Sequence, residues 1–270
     1  MEKKVTVIKL GGSLITDKST PYTIRENLDR VAKEIKECID LGLIEGLVLI
    51  HGVGSFGHPP VLKHELHKGF RSPDQLMHLS NTQEIVNQLR YKITKSFQDV
   101  GIPINLMHAS SMVIGNKMKI TEYMFKALKG YLSLGMVPLI GGDMMFDLSI
   151  GFSVCSGDQL AVIISREIKA NQLIFATDVA GIYDSDPKIN KEASLIKEIN
   201  INEIESIVKQ LDESKPADAS GRMKGKLMTL SSGKDLIRNG LNVAIISMME
   251  NNSLKNYLEE RQVTATKIVF

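Results

Sequence analysis

Short, nearly continuous apolar runs alternate with helix-periodic segments along the whole chain, and that alternation leaves few folds open. The apolar runs cover residues 5–10, 47–50, 104–107, 137–140, 173–176 and 243–247. Between them, helical periodicity covers about 24–41, 73–100, 121–134, 158–168, 201–210 and 221–238. Strands without polar alternation are buried on both faces, so the pattern predicts an α/β fold with a mostly parallel sheet covered on both sides. Gly101, Gly135 and Gly240 stand where helices should stop before the next strand. Residues 116–120 and 146–154 read as hairpins, and 212–218 as an exposed loop.

Bulk properties narrow the function classes. A chain of 270 residues with 43% hydrophobic and 24% charged residues is ordinary for a globular protein. A net charge of +2, no tryptophan and few aromatics give no footing for a nucleic-acid surface. No apolar run approaches the ~18 residues that a membrane span needs, so no membrane role is expected. Cys38 and Cys155 are isolated, which predicts neither a disulfide framework nor a zinc site. With no signal-like segment ahead of the first strand, a cytoplasmic location is expected.

In a parallel sheet, ligands bind beyond the carboxyl ends of the strands. Five segments with the right chemistry fall after strands or at helix starts. The first is Lys9-Leu-Gly-Gly-Ser-Leu-Ile-Thr-Asp-Lys18, where Lys9 and Lys18 bracket a turn made by Gly11, Gly12 and Ser13. Cations beside exposed amides suit a transferring phosphoryl group. The second is His51-Gly-Val-Gly-Ser-Phe-Gly-His58, a glycine-rich anion cradle with two histidines. It matches the G-x-G-x-x-G pattern, but Pro59 and Pro60 and the lack of a following strand with an acidic end argue against dinucleotide binding. His51, at a strand end, reads as structural; His58 reads as an anion contact. The third is Ser156-Gly-Asp158, a helix start in which either side chain could cap the first turn. The fourth runs from Ala176 through Thr177, Asp178 and Tyr183 to Lys188. The fifth is Asp218-Ala-Ser-Gly-Arg-Met-Lys-Gly-Lys226, which opens a helix with Ser220 as a possible cap. Each segment alone also fits a tight turn, a surface loop or a capped basic helix.

In this order, the five segments resemble the amino acid kinase superfamily over nearly the whole chain. Within it, the Ser-Phe-Gly-His ending of the second segment is similar to isopentenyl phosphate kinases, and fosfomycin kinases share much of the pattern. The resemblance implies a three-layer αβα sandwich with an open, mainly parallel sheet. It implies an acceptor lobe over about 1–150 and a lobe for ATP and Mg²⁺ over about 151–270. It further implies that Lys9, Lys18 and Lys226 neutralise the transferring group, with Asp158 orienting Lys9 and Lys226. His58, the backbone of Val53 and Gly54, and Gly142 would hold the acceptor. Gly11, Gly12, Ser13, Thr177, Asp178, Tyr183, Gly221 and Lys226 would contact the nucleotide. A homodimer is implied as well. Two residues depart from the family pattern. Val53 stands where a small residue is usual, and its backbone is comfortable only at negative φ. Arg222 replaces a glycine and is costly if its φ is positive.

A phosphomonoester acceptor is already ionised at neutral pH, since its second pKa is about 6. Such a site needs cations and N–H donors, no general base, and no carboxylate beside the acceptor. Leu76, Met77, Leu79, Ile85 and Leu89 are candidates for the walls of an apolar acceptor pocket.

Overall fold

The computed structural model describes residues 4–17, 20–185, 190–213 and 219–270. Its main sheet has the order β12 (Glu198–Asn200), β14 (Ala265–Val269), β13 (Asn242–Ser247), β9 (Gln172–Thr177), β1 (Val5–Leu10), β2 (Gly46–His51), β6 (Val137–Gly141), β3 (Ile104–Leu106). All neighbours are parallel except β13 and β14. A second sheet has the order β5 (Lys119–Tyr123), β4 (Val113–Asn116), β7 (Asp143–Asp147), β8 (Gly151–Cys155). A short ribbon pairs β10 (Ile182–Tyr183) with β11 (Leu195–Ile196).

The helices are α1 (Gly12–Ile15), α2 (Arg25–Asp40), α3 (Gly54–Lys63), α4 (Gln75–Asp99), α5 (Lys126–Ser133), α6 (Gly157–Glu167), α7 (Ile204–Glu213), α8 (Ala219–Ser231), α9 (Lys234–Arg238) and α10 (Ser253–Leu258). They cover both faces of the main sheet because its strands alternate between two apolar cores. Ile8 and Leu10 of β1 join Leu49, Ile174 and Ala244 under α2 and α4. Val7 joins Ile50, Phe175 and Ile245 under α6 and α8. On α2, Leu28, Val31, Ala32, Ile35 and Cys38 recur at helical spacing and form the buried stripe that drives its docking. Lys9 shares the face of Val7, so one cation is carried into a position that is otherwise apolar. Each fully buried Leu, Ile or Phe stabilises the fold by roughly 1.5–3 kcal/mol.

The order of the main sheet reverses at β1: β2, β6 and β3 extend to one side, and β9, β13 and β14 to the other. The crevice between the carboxyl ends of β1 and β9 is therefore the topological switch point, where open α/β sheets bind ligands. Register puts Leu10 beside Ala176 there, and the Gly11 amide donates to the Ala176 carbonyl at 2.7 Å.

Most predicted elements stand, with informative exceptions. The helix expected over 121–134 begins only at Lys126, because residues 119–123 pair with β4. Lys117 and Met118 take positive φ in the turn between β4 and β5, and both amides donate to the Asp147 carboxylate. The helix expected over 221–238 breaks between Ser231 and Lys234. Helix α7 extends to Glu213, so residues 212 and 213 are helical rather than loop; 214–218 lie outside the described residues. Helix α3 was not expected: the chain coils straight out of the second glycine turn, and Pro59 and Pro60 fall after its first turn. The C-terminal strand β14 was also missed, since it is recruited by pairing with β13 and β12. Gly101, Gly135 and Gly240 do end helices with φ of +83°, +91° and +98°.

Candidate active site

The two glycine turns meet at the switch point. A Cβ added to Gly12 would lie 2.5 Å from the Gly54 nitrogen and 2.6 Å from its Cα, so the backbones touch with no room for a side chain. The Gly52 amide donates to the Leu10 carbonyl at 2.8 Å. The Ser13 hydroxyl donates to the Asp178 carboxylate at 2.6 Å, which ties the first turn to the end of β9. The Thr177 hydroxyl donates to the Val179 carbonyl and accepts from the Val179 amide, shaping the loop that follows. Three of the five segments thus converge on one rim through direct bonds.

Beneath them lies a buried triad of charges. Lys9 Nζ stands 2.7 Å from Asp158 Oδ1, and Lys226 Nζ is 3.3 Å from both Asp158 oxygens. Ser156 caps α6 by accepting from the Asp158 amide at 3.2 Å, which leaves the Asp158 side chain free to bridge the two lysines. Lys226 also sits 4.2 Å above the ring of Phe175, a cation–π contact. Burial lowers the Lys226 pKa to about 7, and repulsion from Lys9 adds to this against the attraction of Asp158. Burial pushes Asp158 upward, but the charges of Lys9 and Lys226 override it and hold the carboxyl well below the usual range.

His58, in α3, lines a small cavity of about 40 Å³ that is partly open to solvent. Its other walls are Val53, Gly57, Val61, Thr82, Val86, Asp143, Met144, Val154 and Cys155. Val53 has φ −86°, so the valine carries no left-handed strain. Its side chain fills the space over two glycines: a Cβ on Gly57 would come within 2.5 Å of it, and one on Gly142 within 3.0 Å. The Gly142 amide donates to the His51 carbonyl at 2.9 Å. His51 itself is fully buried, and burial, with the nearby Arg90 charge, lowers its pKa to about 3. It is a neutral structural side chain, as its place at a strand end suggested.

Lys18 lies outside the described residues. Gly221 and Arg222 are inside α8, where the backbone is right-handed and an arginine is unstrained; Ser220 is also inside the helix and not ahead of it. Tyr183 lies in the β10–β11 ribbon, paired with Leu195. None of Leu76, Met77, Leu79, Ile85 and Leu89 walls the cavity. Leu76 and Met77 are exposed and Leu89 is in the core, because α4 turns the face of Thr82 and Val86 toward α3. Sequence reasoning placed Asp143 after a strand on this rim but missed Arg90. Arg90 is four residues after Val86 and seven before Phe97, a charge on an apolar stripe, and that was the available signal. Asp143 is a carboxylate in the cavity wall, contrary to expectation, and it is paired with Arg90.

A doubly covered sheet with a cationic, amide-rich crevice at its switch point defines a phosphoryl-transfer fold, and residues 4–247 match the model of the amino acid kinase family. The chain belongs to that family. An isopentenyl phosphate kinase of Methanocaldococcus jannaschii is 32% identical over 248 residues, covering 85% of this chain and 88% of its own. Its counterpart in Methanothermobacter thermautotrophicus is 31% identical over 97% of this chain and 98% of its own. A solved structure of isopentenyl phosphate kinase superposes with a TM-score of 0.82 at 28% identity, covering 98% of this chain and all of that one.

Proposed function

We propose that this chain transfers the γ-phosphoryl group of ATP to isopentenyl phosphate, forming isopentenyl diphosphate by direct in-line displacement. The observation that carries this is the Lys9–Asp158–Lys226 triad beside a small cavity with mainly apolar walls and His58 at its edge. Cations would meet the phosphates, and the apolar walls would face the hydrocarbon tail of the acceptor. The relatives named above act on that acceptor.

Lys9 and Lys226 would neutralise the charge that spreads over the equatorial oxygens in the transition state, while Asp158 keeps both aimed at one point. Lys18 is proposed as a third cation on the strength of the family pattern. His58, Val53, Gly54 and Gly142 would hold the acceptor phosphate. Gly11, Gly12, Ser13, Thr177, Asp178, Tyr183 and Gly221 would line the nucleotide. No base is required, because the acceptor oxygen is already ionised. Among the described residues, no group of three or more His, Cys, Asp or Glu side chains is arranged to hold a metal ion. A Mg²⁺ ion is proposed on family grounds; bound with the nucleotide phosphates, it would supply charge neutralisation. The acceptor lobe at 1–150, the nucleotide lobe at 151–270 and the homodimer are proposed on the same family grounds, and a cytoplasmic location is proposed with them. Among the described residues, no helix is long and apolar enough to cross a membrane.

The test is turnover by purified protein with Mg-ATP and either isopentenyl phosphate or fosfomycin, with products identified by phosphorus NMR. Diphosphate formation from isopentenyl phosphate is expected. Turnover of fosfomycin alone would reassign the acceptor.

A further inference from the structure

The cavity wall contains a carboxylate that a phosphate-binding site should not tolerate. Asp143 lines the cavity and is buried, and a bare charge there would repel a dianionic acceptor. Its counter-ion is Arg90, on α4. Arg90 Nη2 donates to Asp143 Oδ2 at 2.7 Å, with the two side chains 0% and 1% exposed. The other carboxylate oxygen accepts from the Met144 amide at 2.8 Å, so both oxygens are engaged.

Arg90 does a second thing. The same Nη2 donates to the Gly142 carbonyl at 3.1 Å. Gly142 is the joint between β6 of the main sheet and β7 of the second sheet, and its amide is bonded to His51 at the end of β2. One guanidinium thus locks the joint that faces Val53 in the acceptor turn. Arg90 is itself held: Nη1 donates to Asn87 Oδ1 at 2.6 Å and lies 3.3 Å from His108 Nδ1. A buried ion pair contributes little net stability compared with apolar side chains of the same volume, so core stability alone accounts poorly for the pair.

We propose that Arg90 is a positioning residue for the acceptor: it cancels the Asp143 charge in the cavity wall and holds Gly142 in place beneath the phosphate. This rests on the cavity being the acceptor site. The test compares wild type, Arg90→Met, Asp143→Asn and the double variant, using steady-state kinetics with isopentenyl phosphate and Mg-ATP and thermal melts. Arg90→Met should raise the acceptor KM at least ~10-fold and leave the ATP KM within ~2-fold, because the exposed like charge faces only the acceptor. The double variant should recover the larger part of the acceptor KM, because the charge leaves with its partner, and keep only the smaller loss from the freed Gly142 carbonyl. Equal damage in the single and double variants, or a parallel rise in both KM values, would overturn the role. If Arg90→Met does not fold, Asp143→Asn decides: an acceptor KM at or below wild type supports the role, and a rise of more than ~3-fold overturns it. A wild type that does not use isopentenyl phosphate overturns the acceptor assignment. An active wild type whose Arg90→Met variant matches it overturns the role of Arg90 alone.

Discussion

Replacing Asp158 with asparagine strikes at the centre of the proposed mechanism. The carboxylate is 2.7 Å from Lys9 and 3.3 Å from Lys226. At an effective dielectric constant of about 20, unit charges at those distances attract by about 6 and about 5 kcal/mol. Desolvation of three ions offsets most of this, and removing one member of a buried ionic set costs about 3–5 kcal/mol. Lys226 has an escape, however. Its pKa is already lowered to about 7, and without Asp158 it falls further, so the lysine can shed its proton and relieve the repulsion from Lys9. The lower end, about 3 kcal/mol, is therefore expected, a melting-point loss of roughly 6–12 °C for a chain of this size. That relief removes a cation from the transition state. Loss of one such donor costs about 10²–10³ in kcat. Activity of Asp158→Asn should recover in part as pH falls and Lys226 is reprotonated, which shifts the pH profile to the acid side. Release of ADP, measured across pH with saturating isopentenyl phosphate, reports all of this. A folded Asp158→Asn protein with kcat within about 3-fold of wild type and an unshifted profile would refute the role of the triad.

Other outcomes follow from the same geometry. ATP should press its phosphates against Lys226 and raise the pKa that burial has lowered to about 7. A base whose pKa rises on binding takes up a proton, so affinity should fall as pH climbs above about 7; calorimetry in buffers of different ionisation enthalpy should show proton uptake, and none would contradict it. His58→Ala should raise the acceptor KM about 10-fold or more, the scale of one hydrogen bond to a charged group, and leave ATP binding unchanged. An unaltered acceptor KM and kcat would remove His58 from the site. Gly12→Ala should destabilise by about 1–3 kcal/mol or more, because its Cβ would meet Gly54 backbone at 2.5 Å. A melting point equal to wild type would mean that the two turns do not pack as described.

The positions of the five segments were legible because the signals are local. An apolar run of four to six residues makes its own strand, and the glycines, capping Ser156 and basic residues that follow mark its carboxyl end. Helix limits failed where pairing with a distant strand won over local periodicity, as at residues 119–123. Helix α3 was missed because Pro59 and Pro60 each remove an intrahelical amide, yet the chain stays helical through both.

By itself, the sequence determined the class of fold and the order of the glycine turns, since backbone geometry is carried by neighbours along the chain; Lys9, Asp158 and Lys226 were expected together only through the family resemblance. The tertiary structure alone decided how those groups behave. It brought a lysine from α8 onto Phe175 and lowered its pKa, put Val53 over Gly57 and Gly142, and made Arg90 the counter-ion of a cavity carboxylate. These properties come from desolvation and from contacts between residues far apart in the chain. They depend on what surrounds a side chain in space, which no local pattern records.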